Sequence, residues 1–327
     1  MAAYLIRRLL SMIPVLVGIT IISFGVMKLA PGRPTDVMLD FNPKASVEAR
    51  ERMEQLLGLN QPIHLQYLNW LRRVATLNFD RSFRDGRPVT EIVVERLPIT
   101  LTINVCALAL ILGLAIPLGV IAAVRPGGLF DRVTTVLVFI GYSTPAFWLG
   151  LLGIAWLGVE LGWVPVSGLH SLDYESMSLV GRALDVAHHL VLPVGIMTFV
   201  GLAGLSRYVR SSMVEVLRQD YIRSARAKGL PERLVLFRHG LRNALLPIVT
   251  ILGLSLPDLI AGSVVMETVF AIPGMGRLFY DAVMARDQHV VMALVTIGAV
   301  LTLLGNLLAD AAYAAVDPRI RVGKNHA

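Results

Sequence analysis

Six apolar runs constrain the fold of this chain more than any other feature of its sequence. Each run is long enough to cross a bilayer as a helix, which takes about 20 residues. The runs cover residues 9–27, 97–124, 133–159, 188–206, 243–266 and 290–316. Because the bilayer core offers no water to the backbone, a spanning segment satisfies its hydrogen bonds within a helix. The sequence therefore predicts an all-α integral membrane protein with six transmembrane helices.

Composition and charge agree with that prediction and argue against other classes of protein. Only 16% of the 327 residues are charged, whereas soluble domains carry about 25%, and the mean hydropathy is +0.66. The net charge of +7 comes largely from arginines beside the apolar runs, so we predict no binding of nucleic acid. Cys106 is the only cysteine, which excludes a disulfide framework and a thiolate metal cluster.

Basic residues beside the runs predict the orientation of the chain. Arg7 and Arg8 precede the first run, the tail 317–327 is basic, and the segment 207–243 holds nine arginines and lysines. Because basic residues favour the cytoplasmic side, we predict that both termini and this segment lie in the cytoplasm. The first apolar run exceeds the roughly 7–15 residues of a signal peptide, so residues 1–30 are expected to form the cytoplasmic N-terminus and a retained first span.

Residues 31–96 differ in kind from the apolar runs. They open on Pro31 and Gly32, and two amphipathic helices are predicted within them, at 47–62 and 64–74. Segments of this length cross the membrane largely regardless of their charge. We therefore predict an extracytoplasmic helical insertion after the first span.

The sequence lacks the common motifs of enzymes and metal sites. It has no G-x-x-x-x-G-K-[ST], since its Gly323–Lys324 pair is followed by Asn325, and no H-E-x-x-H, G-x-S-x-G or C-x-x-C. His188 and His189 are adjacent rather than four residues apart, which favours an interfacial pair over a metal site. We predict no catalytic residue, no metal and no cofactor bound by this chain.

Two carboxylates lie within apolar runs. Asp258 follows Pro257 in the fifth run, and Asp310 lies near the end of the sixth. An ionisable residue inside a membrane is costly and therefore a candidate for function. Asp258 is the stronger candidate for a transport role, and a secondary transporter or channel that uses it as an ion site remains an alternative.

The most basic stretch of the chain, residues 221–247, predicts a helical hairpin. Residues 211–230 read as one helix, Gly229 suits a left-handed turn at its end, and Pro231 suits the first turn of the next helix. One apolar stripe of α-helical spacing is formed by Leu230, Leu234, Phe237 and Leu241. Such a hairpin can anchor two spans at the membrane surface or dock a soluble partner.

Several stretches resemble the oligopeptide, dipeptide and nickel branch of the ABC importer permeases. ARAKGL at 225–230 and HGLRNALLP at 239–247 are similar to the cytoplasmic loop of that branch. Further similar stretches are YLIRRLLSMIPVLVGIT (4–20), LAPGRP (29–34), LGLNQP (57–62), YSTPAFW (142–148), ETVFAIPGMGRL (267–278) and DPRIR (317–321). The chain departs from the family at 78–89, where a Gly-Asp-Leu-Gly-type opening would precede Ser82, and at Arg223–Ser224, where the general motif has Glu-Ala.

The resemblance implies a type I importer fold, a location in the plasma (inner) membrane and a division of labour. Its permease core would cover residues 97–316 with the coupling loop at 207–243, and residues 317–327 would form a cytoplasmic tail. The implied partners are a second related permease, two ABC ATPase subunits that bind ATP–Mg, an extracytoplasmic solute-binding protein and membrane lipid. Peptide is the implied cargo; nickel, glutathione or another small solute is the alternative within the family, and a non-transporting receptor is the alternative outside it.

The resemblance also implies which residues act. The residues implied in ATPase coupling are Ala225, Lys228, Gly229, Leu230, Leu234, Phe237, Arg238 and His239. Along the translocation path we expect Tyr142, Pro145 and Asp258.

Overall fold

The structure is a computed structural model that describes residues 2–29, 55 and 60–316, and most of these residues are helical. Its main helices are α1 (Ala2–Leu29), α2 (Ile63–Ala75), α3 (Val89–Val124), α4 (Leu129–Ser143), α5 (Ala146–Gly153), α6 (Leu179–Leu217) and α7 (Asp220–Ala227). There follow α8, made of Glu232–Leu234, Val235–Leu241 and Arg242–Ala244, then α9 (Leu246–Ala261), α10 (Val264–Val269), α11 (Met275–Met284) and α12 (Gln288–Val316). A π-helical stretch, Ile154–Glu160, continues α5, and a short 3₁₀ turn covers Tyr174–Ser176.

The membrane-spanning character of these helices confirms the predicted fold class. In the described part of the chain, five helical segments are long and apolar enough to cross a membrane. They are Arg8–Leu29, Val89–Val124, Leu179–Leu217, Ile251–Val269 and Gln288–Leu308. A bent pair, α4 with α5 and its π-helical continuation, gives a sixth span if the pair is counted as one.

The third span is not the single helix that its apolar run predicts over 133–159. It bends by 95° between α4 and α5. Thr144 is extended there, with ψ of 125°, because the ring of Pro145 excludes the helical conformation for the residue before it. The proline in the YSTPAFW stretch is therefore the physical cause of the break.

Other boundaries also differ from the sequence-based expectation. Helix α3 begins at Val89, ahead of its apolar run, and α6 covers Leu179–Leu217 rather than 188–206. Ser178 starts α6 early because its side chain accepts a hydrogen bond from the Gly181 N–H at 3.2 Å. The helix predicted at 64–74 is confirmed as α2, and the one predicted at 47–62 lies mostly outside the described residues, as do the tail 317–327 and the side chain of Asp310.

The described chain divides into two compact units, and the first comprises residues 1–100, 256–264 and 274–327. Within it α1 packs on α12, and Phe24, Trp70 and Met292 form a buried cluster. The hydroxyls of Thr20 and Tyr67 lie 2.9 Å apart beside this cluster. Helix α2 of the predicted insertion is thereby attached to the first and last spans.

The segment 78–89, where the sequence departs from the family pattern, is attached to the start of α12. Ser82 donates a hydrogen bond from its Oγ to Asp287 Oδ2 at 2.5 Å, and both side chains are buried. The other Asp287 oxygen accepts from the Val290 N–H at 3.3 Å and so caps α12. The Phe83 and His289 rings stack with centroids 4.2 Å apart. Ser82 thus has a structural role in this segment.

The second unit comprises residues 101–255 and 265–273. Its core is made where α3, α6 and the start of α9 meet, from Val120, Ala123, Val209, Met213, Ala244 and Ile248. Gly119 permits this packing, because a Cβ at that position would lie 2.6 Å from Val209 Cβ. Close approach of the helices α3 and α6 therefore depends on a residue without a side chain.

Candidate coupling site

Helices α7 and α8 form the hairpin that the basic stretch predicts. Gly229 joins them with a φ of +72°, which confirms the predicted left-handed turn. The Gly229 N–H donates to Arg226 O at 2.9 Å, and the Leu230 N–H donates to Ala225 O at 3.4 Å, so the last carbonyls of α7 are satisfied. Pro231 is the N-cap of α8 and lies directly before its first turn, whereas the sequence predicted it within that turn.

The helix predicted over 211–230 is interrupted before the hairpin. Helix α6 ends at Leu217, and α7 begins at Asp220 after an extended Gln219 with ψ of 149°. The hairpin is therefore a separate unit that changes direction at the end of α6, rather than the extension of a transmembrane helix.

A small buried core holds the two arms of the hairpin together. It consists of Ile222 and Ala225 from α7 and Val235 from α8, with Leu217 and Leu230 packed against it. Ala225, expected to take part in coupling, is only 6% exposed. Its side chain therefore supports the hairpin from within and is not available to a partner.

The single α-helical stripe predicted for Leu230, Leu234, Phe237 and Leu241 is not formed. Residues Val235–Leu241 follow a π-helical pattern, in which the turn is wider than in an α-helix. The buried face of α8 consists of Val235, Gly240 and Ala244, while Phe237 is 59% exposed. Phe237 therefore points away from the chain's own core.

The outer face of the hairpin combines one aromatic side chain with several cations. Phe237 is exposed, as are Lys228, Arg233 and Arg238 of the same hairpin, and His239 is half-buried. An exposed aromatic residue bordered by arginines is the composition typical of a protein interface. Of the residues implied in coupling, Lys228, Phe237 and Arg238 are the ones most available to a partner.

An ion pair across the Gly229 turn was not foreseen from the sequence. Arg226 donates to Glu232 through Nη2 at 2.7 Å and through Nε at 3.2 Å. These hydrogen bonds lower the pKa of the Glu232 carboxyl and raise that of the Arg226 guanidinium. The pair joins the end of α7 to the start of α8. The sequence signal that could have predicted it is the opposite charge of two residues, six positions apart, on either side of Gly229.

We expect acidification to weaken the hairpin through this pair. Because the folded-state pKa of Glu232 lies below its ordinary value, the stabilisation is present above that value and is lost as the pH falls through the folded-state pKa. The loss is at most about 1 kcal/mol, since both side chains are half exposed. Hydrogen–deuterium exchange of residues 220–244, corrected for intrinsic rates, should accelerate on acidification more in the unmodified protein than in Glu232→Gln. Equal acceleration in both would contradict this role.

Two further contacts fix the hairpin and the helix that leads into it. Asn243 donates from Nδ2 to the Tyr221 hydroxyl at 3.0 Å, which joins α8 to α7. Asp131, 4% exposed, accepts from Arg210 Nη2 at 2.7 Å and from the Gly127 N–H at 2.7 Å. This pair fixes the 125–132 turn to α6, the helix that leads into the hairpin.

The residues expected along the translocation path occupy separate places. Tyr142, 80% exposed, and Pro145 lie at the break between α4 and α5 in the second unit. Asp258 is an exposed residue of α9 and belongs to the first unit.

The adjacent histidines make structural contacts: His188 Nε2 lies 2.8 Å from Trp163 O, and His189 Nδ1 lies 2.8 Å from Asp185 O.

Comparisons with known proteins cover nearly the whole chain. The oligopeptide transport system permease protein AppB of Bacillus subtilis is 49% identical over 321 residues, which are 98% of this chain and 99% of the relative. The di/tripeptide transport system permease protein DppB of Pseudomonas aeruginosa and the dipeptide transport system permease protein DppB of Escherichia coli are each 38% identical over 98% of this chain and 99% of their own.

A solved structure and two family models complete the comparison. The inward-facing MetNI methionine ABC transporter matches with a TM-score of 0.52 and 20% identity, over 70% of this chain and 97% of its own, which supports the type I fold. The model of the binding-protein-dependent transport system inner membrane component matches residues 115–322, and the model of its N-terminal part matches residues 1–104. The chain therefore belongs to the binding-protein-dependent transport system inner membrane components, and it is an ABC importer permease subunit rather than an enzyme.

Proposed function

We propose that this chain is one of two related permease subunits of an ATP-driven importer of oligopeptides or dipeptides. The observation that carries the proposal is its 49% identity, along 98% of its length, to an oligopeptide transport system permease. Two further relatives at 38% identity are named for dipeptides and tripeptides. An extracytoplasmic solute-binding protein would deliver the peptide, and each permease would form half of the translocation path, with Tyr142, Pro145 and Asp258 on this half.

The hairpin of α7 and α8 would transmit the energy of ATP to the membrane spans. The sequence has no P-loop of its own, so ATP–Mg is bound by two partner ATPase subunits on the cytoplasmic side, where both termini of this chain also lie. Phe237 with its neighbouring cations would insert into a cleft of an ATPase. A hairpin with a buried core and a bidentate ion pair moves as one body, which is what coupling between two discrete states requires.

Reconstitution into vesicles tests this function directly. The importer is assembled with its partner permease, ATPases and binding protein, and uptake of a labelled dipeptide is measured. We expect uptake only with ATP and the binding protein together. Uptake driven by an ion gradient without ATP would contradict the proposed ATP-driven mechanism. Uptake of Ni²⁺ or glutathione in place of the peptide would contradict the proposal that the cargo is a peptide.

We expect Gly229→Val to uncouple ATP hydrolysis from peptide uptake. A left-handed conformation costs a residue with a side chain about 1–2 kcal/mol, and a β-branched residue adopts it least readily, so the turn between α7 and α8 is distorted. The structure leaves open space around a Cβ at this position, so steric overlap is not the cause. The measurement is the number of peptides transported per ATP hydrolysed.

Gly229→Asn is the matched control, because asparagine adopts the left-handed conformation more readily than other residues with side chains. We expect it to retain most of the coupling ratio. If the valine and asparagine variants transport equally well, the turn does not contribute to coupling.

A further inference from the structure

The second unit contains a cavity that lies outside the coupling hairpin of α7 and α8. It has a volume of about 940 Å³ and lies between residues 118–122 of α3, 134–142 of α4 and 199–210 of α6. All of its lining residues belong to this one unit. Because the cavity lies between transmembrane helices, it is a candidate binding site.

The cavity is polar at one end and apolar at the other. Its polar end is formed by Thr134, Thr135, Ser206, Arg207 and Arg210. Its apolar end is formed by Leu137, Phe139, Tyr142, Phe199 and Leu202. On α4 the outermost residues of the two ends, Thr134 and Tyr142, are eight residues apart, which corresponds to roughly 12 Å along a helix. The cavity therefore matches an amphiphile with a polar head and apolar chains.

The polar end offers unused hydrogen-bonding capacity for an anion. Asp131 binds Arg210, whereas in the described part of the chain the Arg207 guanidinium has no hydrogen bond or ion pair. The adjacent Ser206 also lines the cavity, but it is only 6% exposed and its Oγ is buried. A guanidinium without a partner suits a phosphate group, to which arginine donates two hydrogen bonds.

The surroundings of the apolar end favour acyl chains over a hydrated solute. The face of α4 that continues from the cavity is exposed and apolar, with Val136 at 58%, Phe139 at 68% and Ile140 at 48%. A path for a peptide requires groups that replace its water, and of the five side chains at the apolar end only Tyr142, which we place on the translocation path, carries a polar group. Arg207 opens the predicted cytoplasmic segment 207–243, and basic pockets between transmembrane helices on that side suit anionic lipid head groups.

We propose that this cavity is a binding site for an anionic phospholipid, with the phosphate on Arg207 at the polar end and the acyl chains toward Phe139 and Phe199. The proposal concerns the lipid partner of the permease and does not depend on the identity of the cargo. Arg207 would recognise the head group, while the apolar end would accept acyl chains of any common length.

The first test compares lipid retention by charge variants of the purified importer with all its subunits. Native mass spectrometry counts bound phosphatidylglycerol, with uncharged diacylglycerol and inorganic phosphate as separate probes. Arg207→Gln should weaken phosphatidylglycerol binding about tenfold, because it removes charge-assisted hydrogen bonds. Arg132→Gln, an exposed arginine at the same end of α4 that does not line the cavity, should leave it unchanged. Equal loss in both variants, or displacement of the lipid by millimolar phosphate, would overturn the proposal.

The second test fills the cavity without altering charge. Gly204 lines it, and no heavy atom lies within 4 Å of a Cβ there, so Gly204→Leu adds a side chain to open space and should expel the lipid. Gly195→Leu is the control, an equally open glycine of α6 outside the cavity. A photo-reactive benzoylphenylalanine in place of Phe139 should yield an adduct with the mass of a lipid in the unaltered importer. An adduct with the partner permease or with peptide would instead identify the cavity as a subunit interface or a transport path.

Discussion

Peptide uptake by the assembled importer is expected to fall at least tenfold when Phe237 is replaced by aspartate. Phe237 is 59% exposed on the outer face of the hairpin and makes no contribution to its buried core of Ile222, Ala225 and Val235. Aromatic residues at the centre of an interface contribute about 2 kcal/mol or more, and an aspartate in a partner cleft adds the cost of removing a charge from water. The variant should therefore fold and enter the membrane normally but bind its ATPase subunits poorly.

Co-purification separates this outcome from a defect in membrane insertion. The amount of ATPase retained by the tagged permease is measured in parallel with uptake, and the amount of permease in the membrane fraction is the reference. Phe237→Leu keeps an apolar side chain and should retain most of both activities. If Phe237→Asp retained its ATPases and transported at the normal rate, the hairpin would serve as a surface anchor rather than as a coupling contact.

The second large effect is expected for Gly119→Leu in the core of the second unit. A Cβ on residue 119 would lie 2.6 Å from Val209 Cβ and 2.8 Å from the Ser206 carbonyl oxygen. Because one of these atoms is backbone, helices α3 and α6 must separate to admit a larger residue. Overpacking of this kind costs about 1–3 kcal/mol, and leucine, which adds a whole side chain, should fall at the upper end of that range.

Gly113→Leu, on the same helix, is the matched control for this substitution. No heavy atom lies within 4 Å of a Cβ at Gly113, so leucine there should be neutral or slightly stabilising through its higher helix propensity. Thermal unfolding of the two variants in detergent gives the comparison. Similar melting temperatures would show that α3 and α6 do not pack as closely as the structure indicates.

Much of the fold could be read from the sequence because it rests on local chemistry. An apolar run of about 20 residues favours the bilayer whatever its neighbours are, so the number and order of the spans followed from the runs alone. The Gly229 turn was predictable for a similar reason, since glycine adopts positive φ without steric cost. The motifs in their order along the chain were enough to identify the family, as the matches to residues 1–104 and 115–322 show.

The candidate site was only partly predictable, because a helical wheel assumes a regular α-helix. The π-helical turn over Val235–Leu241 brings Val235 and Gly240, five residues apart, onto one buried face, and Phe237 is exposed. Ala225, one of the residues implied in the coupling loop, lies in the hairpin core. The basic residues and the glycine in the sequence indicated where the hairpin lies. Packing of α8 against α6 determined which of its side chains are exposed.

Which parts of this chain enter the membrane, and where its basic hairpin turns, follow from hydrophobicity and backbone preference within a few consecutive residues. The buried polar contacts do not, because their partners are far apart along the chain: Arg210 and Asp131 are separated by 79 residues, and Ser82 and Asp287 by 205. A lone carboxylate in the sequence does not reveal which distant donor will compensate the cost of burying it. That choice depends on which helices pack together, so these contacts emerged only from the folded chain, as did the place of Arg207 at the cavity, without a partner among the described residues.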